Sequence, residues 1–208
     1  EDLAQRLVRL VRESAASGNK HFVLLHGPRG IGKTHLVSLL HGRVVQDSEL
    51  ADQLCIAWLR EEEWGVASYI DFLRALLRAL HERYADTDLA LDNQRLPELS
   101  VESAELKAEQ LLLEFVGKRT LLILTENVDE IFEGLEEKGQ QQLRALIQNH
   151  PIFTIIATAR GPFAGVDQRT APFYGFFELT LIDEFTADDA TELLRKIAQQ
   201  ESDLELAN

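Results

Sequence analysis

The sequence predicts an α/β fold in which a parallel β-sheet is covered by helices on both faces. Two observations predict it. Short, continuous apolar runs alternate along the chain with segments in which apolar residues recur at helical spacing. The apolar runs lack a polar face, which is typical of parallel strands buried between two layers of helices. The chain has 208 residues and is 45% hydrophobic, enough for one sizeable globular domain.

Five apolar runs predict the strands of this sheet. Each run is bounded by turn-forming or polar residues and is too short for a typical helix. The predicted strands cover residues 21–26, 54–59, 120–124, 152–157 and 176–181.

Helical spacing of apolar residues predicts the segments between the strands. Helices are expected over residues 3–14, 33–41, 102–116 and 140–149, and after the capping-box pairs Ser68/Asp71 and Thr186/Asp189. The polar residues 85–100 and the glycine- and proline-containing residues 161–175 are expected to be loops, the second exposed but ordered. We interpret the aromatic residues of the second loop as a cover for the core. Its Arg169 is either a surface residue or an arginine finger for a neighbouring subunit.

The strongest functional signal is the sequence GPRGIGKT at residues 27–34, which fits the pattern G-x-x-x-x-G-K-[ST] between a predicted strand and a predicted helix. Glycines let consecutive backbone N–H groups point at phosphate oxygens, and the helix N-terminus adds partial positive charge. We expect Lys33 to reach the β- and γ-phosphates and the Thr34 hydroxyl to bind Mg²⁺. The predicted nucleotide-binding residues of this segment are Gly27, Pro28, Arg29, Gly30, Ile31, Gly32, Lys33, Thr34 and His35.

Acidic residues follow the third predicted strand, in the sequence LLILTENVDE at residues 121–130. Phosphoryl transfer needs one carboxylate near the metal and one that orients water, and ligands of parallel α/β sheets lie at the strand ends. No Asp directly follows the apolar run, so two registers are open. In one, Thr125 takes the usual metal-side position and Glu126 is the base. In the other, Glu126 is the metal-side carboxylate and Asp129 or Glu130 is the base.

Polar residues also follow the fourth predicted strand, in the sequence TIIATAR. Thr158 and Arg160 are therefore candidate sensors of the γ-phosphate and belong to the predicted nucleotide-binding set. The alternative is an ordinary strand end with a solvated arginine.

Taken together, GPRGIGKT, LLILTENVDEIF, TIIATAR and LIDEFTADDATELL resemble, in order and approximate spacing, the motifs of AAA+ and STAND-class P-loop ATPases. The resemblance is closest to prokaryotic members between STAND regulators and origin-recognition-type ATPases, some of which act in anti-phage defence. The second acidic register is similar to the D-x-h-D-E pattern of the STAND class, where h is apolar. Thr158-Ala159-Arg160 is similar to its T-S-R, whereas AAA+ proteins often have a sensor Asn where Ala159 stands.

The resemblance implies a P-loop NTPase three-layer sandwich with a five-stranded parallel sheet of order 5-1-4-3-2. It places ATP and Mg²⁺ at the C-terminal edge of that sheet. We expect the core to cover residues 1–184 and a truncated helical lid or linker to begin in residues 185–208. Because the sequence contains no methionine, we expect a part of a larger protein.

Our first hypothesis is a Mg²⁺-dependent ATPase that drives a conformational change in a larger or oligomeric protein. Its expected catalytic residues are Lys33, Glu126 and Asp129, and its expected metal-binding residues are Thr34 and Glu126. Because no Asp directly follows LLIL and the sensor Asn is missing, a second hypothesis is a nucleotide switch that binds ATP without hydrolysing it. A small-molecule kinase is a third, disfavoured by the lack of an arginine-rich lid. The sequence contains no N-K-x-D motif, which would read guanine, so we expect ATP and not GTP.

The composition limits the partners that we expect. A formal net charge of −14 repels phosphate backbones, so we expect no direct nucleic-acid binding by these residues. A single cysteine, Cys55, predicts a reduced cytoplasmic protein, and no apolar run is long enough for a membrane span. We expect ATP as ligand, with self-association or a partner protein engaged through other domains.

Overall fold

Five parallel strands form one sheet in the computed structural model, which describes residues 3–60 and 65–182. The strands are β1 (Phe22–His26), β2 (Leu54–Leu59), β3 (Thr120–Thr125), β4 (Phe153–Ala159) and β5 (Glu178–Leu181). Their order across the sheet is β2-β3-β4-β1-β5, with every neighbouring pair parallel. This confirms both the fold class and the order 5-1-4-3-2 expected from the resemblance.

Both faces of the sheet are buried, as the continuous apolar runs predict. In β3, Leu121 and Ile123 belong to one hydrophobic core, whereas Leu122 and Leu124 belong to the other. Successive side chains of a strand point to opposite faces, so a strand between two cores must be apolar at every position. The sheet is therefore the middle layer of three.

Helices form the two outer layers. One face is covered by α1 (Leu3–Ala16) and α2 (Lys33–Gln46), and the other by α3 (Tyr69–Tyr84), α4 (Thr87–Arg95), α5 (Val101–Val116) and α6 (Val128–Asn149). A single turn, α7 (Ala164–Asp167), lies between β4 and β5. Among the helices described, none is both long and apolar enough to cross a membrane.

The prediction of a loop over residues 85–100 is wrong, because this segment contains α4 and a short 3₁₀ turn. The Asp86 carboxylate caps α4 by accepting a hydrogen bond from the Leu89 N–H at 2.9 Å. Leu89 and Leu96 are buried in the core, while most other side chains of the segment face solvent. So few apolar contacts leave a weak periodic signal in the sequence.

The helix predicted to start at residue 140 begins at Val128, directly after the strand-end segment. Two helical stretches are joined at Glu136, whose φ of 51° and ψ of −178° interrupt the helix. The Gln140 side chain of the second stretch donates a hydrogen bond at 2.9 Å to the carbonyl oxygen of Phe132 in the first, which ties the two stretches together. The first stretch therefore extends from the candidate site into the core.

The segment predicted as an exposed loop over residues 161–175 is partly buried. Phe173 is fully buried and packs edge-on against Phe132 and Phe176. This confirms the predicted aromatic cover. Arg169 is exposed, and its role as an arginine finger stays a prediction. The predicted lid over residues 185–208 lies outside the described residues.

Substitution of Gly134 can test how closely α6 packs against the segment that leads into α3. A Cβ at Gly134 would lie 1.9 Å from the carbonyl oxygen of Val66, whereas a Cβ at Gly42 in α2 would meet nothing within 4 Å. We expect Gly134→Ala to lower the free energy of unfolding by roughly 1–3 kcal/mol. We expect Gly42→Ala to raise it by about 0.5–1 kcal/mol, because alanine favours helix. Urea unfolding measures both, and equal stabilities would contradict the close approach.

Candidate functional site

The candidate site lies at the carboxyl edge of the sheet, where three adjacent strands end. In the order β3-β4-β1, the strands are followed by Glu126 and Asn127, by Arg160, and by the loop 27–32. Parallel strands bring the segments that follow them to one edge. Functional residues separated by up to 133 positions in the sequence therefore meet in one region.

Three glycines shape the loop between β1 and α2. Gly30 and Gly32 have φ angles of 84° and 99°, a region that side chains other than glycine rarely adopt. A Cβ at Gly27 would lie 2.8 Å from the carbonyl oxygen of Ile182, so this position has no room for a side chain. The loop thus needs glycine at all three positions, two for conformation and one for space.

Lys33 begins α2 and folds back over the loop. Its Nζ donates hydrogen bonds to the carbonyl oxygens of Gly27 at 2.7 Å and of Pro28 at 2.8 Å. The first N–H groups of a helix have no acceptor within the helix, and the helix dipole adds partial positive charge there. The ammonium group and the N-terminus of α2 together make this end of the loop favourable for a phosphate.

Glu126 is buried, with 4% of its surface exposed, and two donors hold its carboxylate. Oε2 accepts a hydrogen bond from the Thr34 hydroxyl at 2.7 Å, and Oε1 accepts one from the Trp58 indole N–H at 3.2 Å. A buried carboxylate needs such partners to offset its loss of hydration. These bonds connect the start of α2, the end of β3 and the end of β2.

The oxygens of Thr34 and Glu126 fit a Mg²⁺ ion bound together with nucleotide phosphates. Mg²⁺ prefers hard oxygen ligands and usually keeps several waters, so it takes few ligands from the protein. Within residues 3–60 and 65–182, no three His, Cys, Asp or Glu side chains group as a metal site. Thr34 and Glu126 supply a hydroxyl and a carboxylate oxygen beside the phosphate loop.

Asn127 and Thr158 join the ends of β3 and β4. Asn127 has a left-handed backbone, with φ 48° and ψ 52°, which asparagine tolerates better than most residues. Its N–H donates a hydrogen bond to the hydroxyl oxygen of Thr158 at 3.2 Å, and Thr158 is only 1% exposed. Thr158 therefore orients the turn that follows Glu126.

Arg160 lies opposite α6 and pairs with Glu130, with 3.0 Å between the guanidinium nitrogen and the carboxylate oxygen. Both side chains are more than half exposed, so this ion pair contributes little to stability. The pair spans the site from the end of β4 to the first turn of α6, and its partners can exchange readily.

Two cavities open on either side of this region. The first is lined by Arg29, Gly30, Gly32, Lys33, Thr34, Asn127, Thr158 and Arg160. The second is lined by Gly65, Val66, Ala67, Glu126, Asn127, Glu130 and Ile131. Asn127 borders both cavities, so the space beside the phosphate loop and the space beside Glu126 are neighbours.

The structure brings together many of the predicted site residues but not all of them. Gly27, Pro28 and Ile31 form the loop without lining the first cavity, and His35 is exposed on α2 away from the lining. Asp129 lines neither cavity, and its Oδ1 is buried without a hydrogen-bond partner among the described residues. The roles of these residues stay predictions.

Sequence reasoning missed Trp58 and Asn127. Trp58 pairs with Leu124 in the register of β2 and β3, so its side chain lies near the end of β3. The available signal was a single tryptophan near the end of an otherwise aliphatic strand. Asn127 had a signal as well, because an asparagine in the turn after a strand tolerates a left-handed backbone.

Comparison with known proteins identifies a family. Residues 1–156 match the family described as the AAA ATPase domain. No curated protein sequence matches the chain.

Solved structures share the fold at low sequence identity. The Aeropyrum pernix ORC1 protein in complex with DNA has a TM-score of 0.66 and 14% identity, with 95% of this chain and 48% of that chain covered. The Aeropyrum pernix ORC2 protein in its ADP form has a TM-score of 0.66 and 14% identity, with 95% and 51% covered. Drosophila ORC bound to DNA has a TM-score of 0.66 and 18% identity, with 98% and 48% covered. The chain thus spans about half the length of these structures.

The hydrogen bond from Asn127 to Thr158 can be tested by stability. Thr158→Val keeps the shape but removes the acceptor of the Asn127 N–H, so we expect a loss of about 1–3 kcal/mol in the free energy of unfolding. Thr158→Ser keeps the hydroxyl and should cost less than Thr158→Val. Chemical denaturation measures both, and equal losses in the two variants would show that the hydroxyl does not hold the turn.

Proposed function

This chain belongs to the AAA ATPase domain family, and we propose that it binds ATP with Mg²⁺ and hydrolyses it to drive a conformational change in a larger protein. Membership of the family supports ATP binding and hydrolysis in general. The observation that carries the proposal is the 2.7 Å hydrogen bond between Thr34 of the phosphate loop and the buried Glu126. It brings a metal-binding hydroxyl and a carboxylate together beside the N-terminus of α2.

The phosphates would lie in the first cavity. Loop amides and the α2 N-terminus supply hydrogen bonds and positive potential, and Lys33 supplies a full charge. Lys33 already contacts the Gly27 and Pro28 carbonyl oxygens, so a phosphate would compete with two neutral acceptors for its ammonium group. Arg29 lines the same cavity and adds a second positive side chain.

Thr34 and Glu126 would hold the metal. Mg²⁺ bound there would neutralise charge on the β- and γ-phosphate oxygens. Because Oε1 of Glu126 is taken by the Trp58 indole and Oε2 faces Thr34, we assign Glu126 to the metal side. This choice favours the second acidic register, in which the base lies further along the chain.

We propose Glu130 as the residue that orients the attacking water, with Asp129 as the alternative. Glu130 lines the second cavity together with Glu126 and Asn127, whereas Asp129 lines neither cavity. A water in the second cavity would be near the metal-side carboxylate and near Glu130. The Asp129 alternative is supported by its buried Oδ1, which lacks a partner among the described residues and could accept a hydrogen bond from water.

Arg160 and Thr158 would respond to the γ-phosphate. Arg160 lines the first cavity while its guanidinium pairs with Glu130 of the second. A phosphate in the first cavity would compete for Arg160 and release the Glu130 carboxylate for water. Thr158 would act through Asn127, whose backbone it orients between the two cavities.

The output would pass to other domains or neighbouring copies. The three solved structures named above are about twice as long as this chain, and two of these three are ORC proteins bound to DNA. We propose self-association or a partner protein as the recipient of the change. The net charge of −14 argues against direct DNA contact by these residues.

A switch that binds ATP without turnover is the second candidate. It is favoured by Thr125, which stands at the end of β3 and whose buried hydroxyl has no hydrogen-bond partner among the described residues. A carboxylate at that position would add a negative charge beside the metal, and its absence leaves Glu126 as the acidic group there. Turnover separates the two candidates.

Nucleotide binding and phosphate release should be measured together on the parent and on Lys33→Ala. We expect the parent to bind ATP and to release phosphate only with Mg²⁺, and Lys33→Ala to lose both, since the loop loses the ammonium group that would contact the β- and γ-phosphates. Turnover should also be measured at high protein concentration, which favours association of copies, because an arginine from a neighbouring copy can raise turnover by about 10³–10⁵. Binding without release at every concentration would favour the switch. Absence of binding at millimolar ATP would overturn the proposal.

Single-turnover hydrolysis can identify the base. We expect Glu130→Gln to slow phosphate release by about 10²–10⁴ while ATP binding is retained, since a water-orienting group acts on the chemical step. Asp129→Asn, its neighbour on the first turn of α6, is the matched control and should retain most turnover. The reverse pattern would assign the role to Asp129, and turnover equal to that of the parent in both variants would exclude both.

A further inference from the structure

Trp58 is the second donor to the metal-side carboxylate. We propose that it is a positioning residue, which fixes the orientation of Glu126 and so sets the affinity of the site for Mg²⁺ with nucleotide. The inference rests on the proposed function. It concerns a residue of β2, one of the two edge strands of the described sheet, that no motif in the sequence marks.

Two side chains pack against the Trp58 indole, one from α2 and one from the segment that follows β2. The His41 ring of α2 lies 4.7 Å from the Trp58 ring, measured between centroids, and the Arg60 guanidinium carbon lies 4.3 Å from its centroid. His41 in turn accepts a hydrogen bond at Nε2 from Arg83 of α3, with 3.2 Å between the nitrogens. These contacts restrict the ring so that its N–H stays directed at Glu126.

His41 is neutral in this arrangement. Burial lowers the pKa of His41 below its ordinary value, and the charges of Arg83 and Arg60 lower the pKa further. A neutral imidazole can accept the bond from Arg83, whereas a protonated one would repel both arginines. The packing against Trp58 is therefore intact at neutral pH.

Because the indole N–H binds one oxygen of the Glu126 carboxylate, the two oxygens have different roles. Oε1 is held by Trp58, and Oε2 is left to face Thr34 and the metal. Without the indole N–H, a buried oxygen loses its partner and the carboxylate can rotate about its last side-chain bond. The affinity for Mg²⁺ falls, while Lys33 and the backbone N–H groups of the loop keep their contacts with ATP, because the bond that is lost is the one to Glu126.

The test compares the dissociation constant of ATP in Mg²⁺ with that in EDTA. The constant in EDTA divided by the constant in Mg²⁺ measures the contribution of the metal, and this ratio exceeds one when Mg²⁺ strengthens binding. We expect Trp58→Phe, which keeps an aromatic ring but has no donor, to reduce this ratio about tenfold, the effect of one hydrogen bond to a charged group. Trp64→Phe, at the only other tryptophan of the chain, is the matched control and should keep the parent ratio.

Two further measurements separate positioning from a general loss of structure. In a Glu126→Gln background the advantage of Mg²⁺ is already lost, so adding Trp58→Phe should change the ratio by less than about twofold. In Trp64→Phe, where Trp58 is the only tryptophan, Mg²⁺ added to the ATP complex should change the indole emission. This change should disappear when Glu126→Gln is added, and it needs no variant of Trp58 itself.

The outcomes distinguish this inference from the proposed function. A parent with a Mg²⁺ advantage that Trp58→Phe retains would overturn the positioning role and leave the ATPase standing. If Mg²⁺ does not change the Trp58 emission in a protein that binds Mg²⁺ with ATP, the positioning role is likewise overturned and the ATPase is not. A parent without any Mg²⁺ advantage would overturn both.

Discussion

The candidate site depends on one constraint, the parallel pairing of β3, β4 and β1 as neighbours in the centre of the sheet. β4 pairs with β3 on one side and with β1 on the other, and both faces of these strands are buried. A shift of one residue in any register would turn each side chain to the opposite core, so burial on both faces fixes the registers. The relative positions of the loop 27–32, Glu126 and Arg160 follow from them.

Charged groups at the site are held by protein partners of different strength. Lys33 contacts two backbone carbonyl oxygens, Glu126 accepts from a hydroxyl and an indole, and Arg160 pairs with Glu130 in a solvated ion pair. The buried Glu126 needs its partners most, because desolvation disfavours an unpaired carboxylate. The exposed pair can exchange at little cost, which suits a group that we propose responds to a phosphate.

Similarity of fold does not by itself establish the function of this protein. The solved ORC structures share the arrangement of strands and helices at 14–18% identity, which establishes the fold alone. The contacts around Glu126 arise from particular side chains of this chain, namely Trp58 with His41 and Arg60 against its ring. The chemistry of the site therefore depends on these residues, as fold does not specify function.

The sequence by itself determined the elements whose signals are local. Apolar runs predicted all five strands to within two residues at either end, and the spacing of GPRGIGKT predicted the loop and the helix after it. Local signals failed where few residues touch the core, as in α4, and where a helix starts directly after a strand, as at Val128. The order of the strands came from a family resemblance and not from any local pattern.

Only the tertiary structure decided which side chains meet. Trp58 and Glu126 are 68 residues apart, and their hydrogen bond exists because β2 and β3 are adjacent in a register that pairs Trp58 with Leu124. The same holds for Thr34 with Glu126, 92 residues apart, and for Asn127 with Thr158, 31 apart. The sequence specifies the chemical groups and their local backbone. Strand pairing sets the distances between them, because it alone brings distant segments of the chain to one edge.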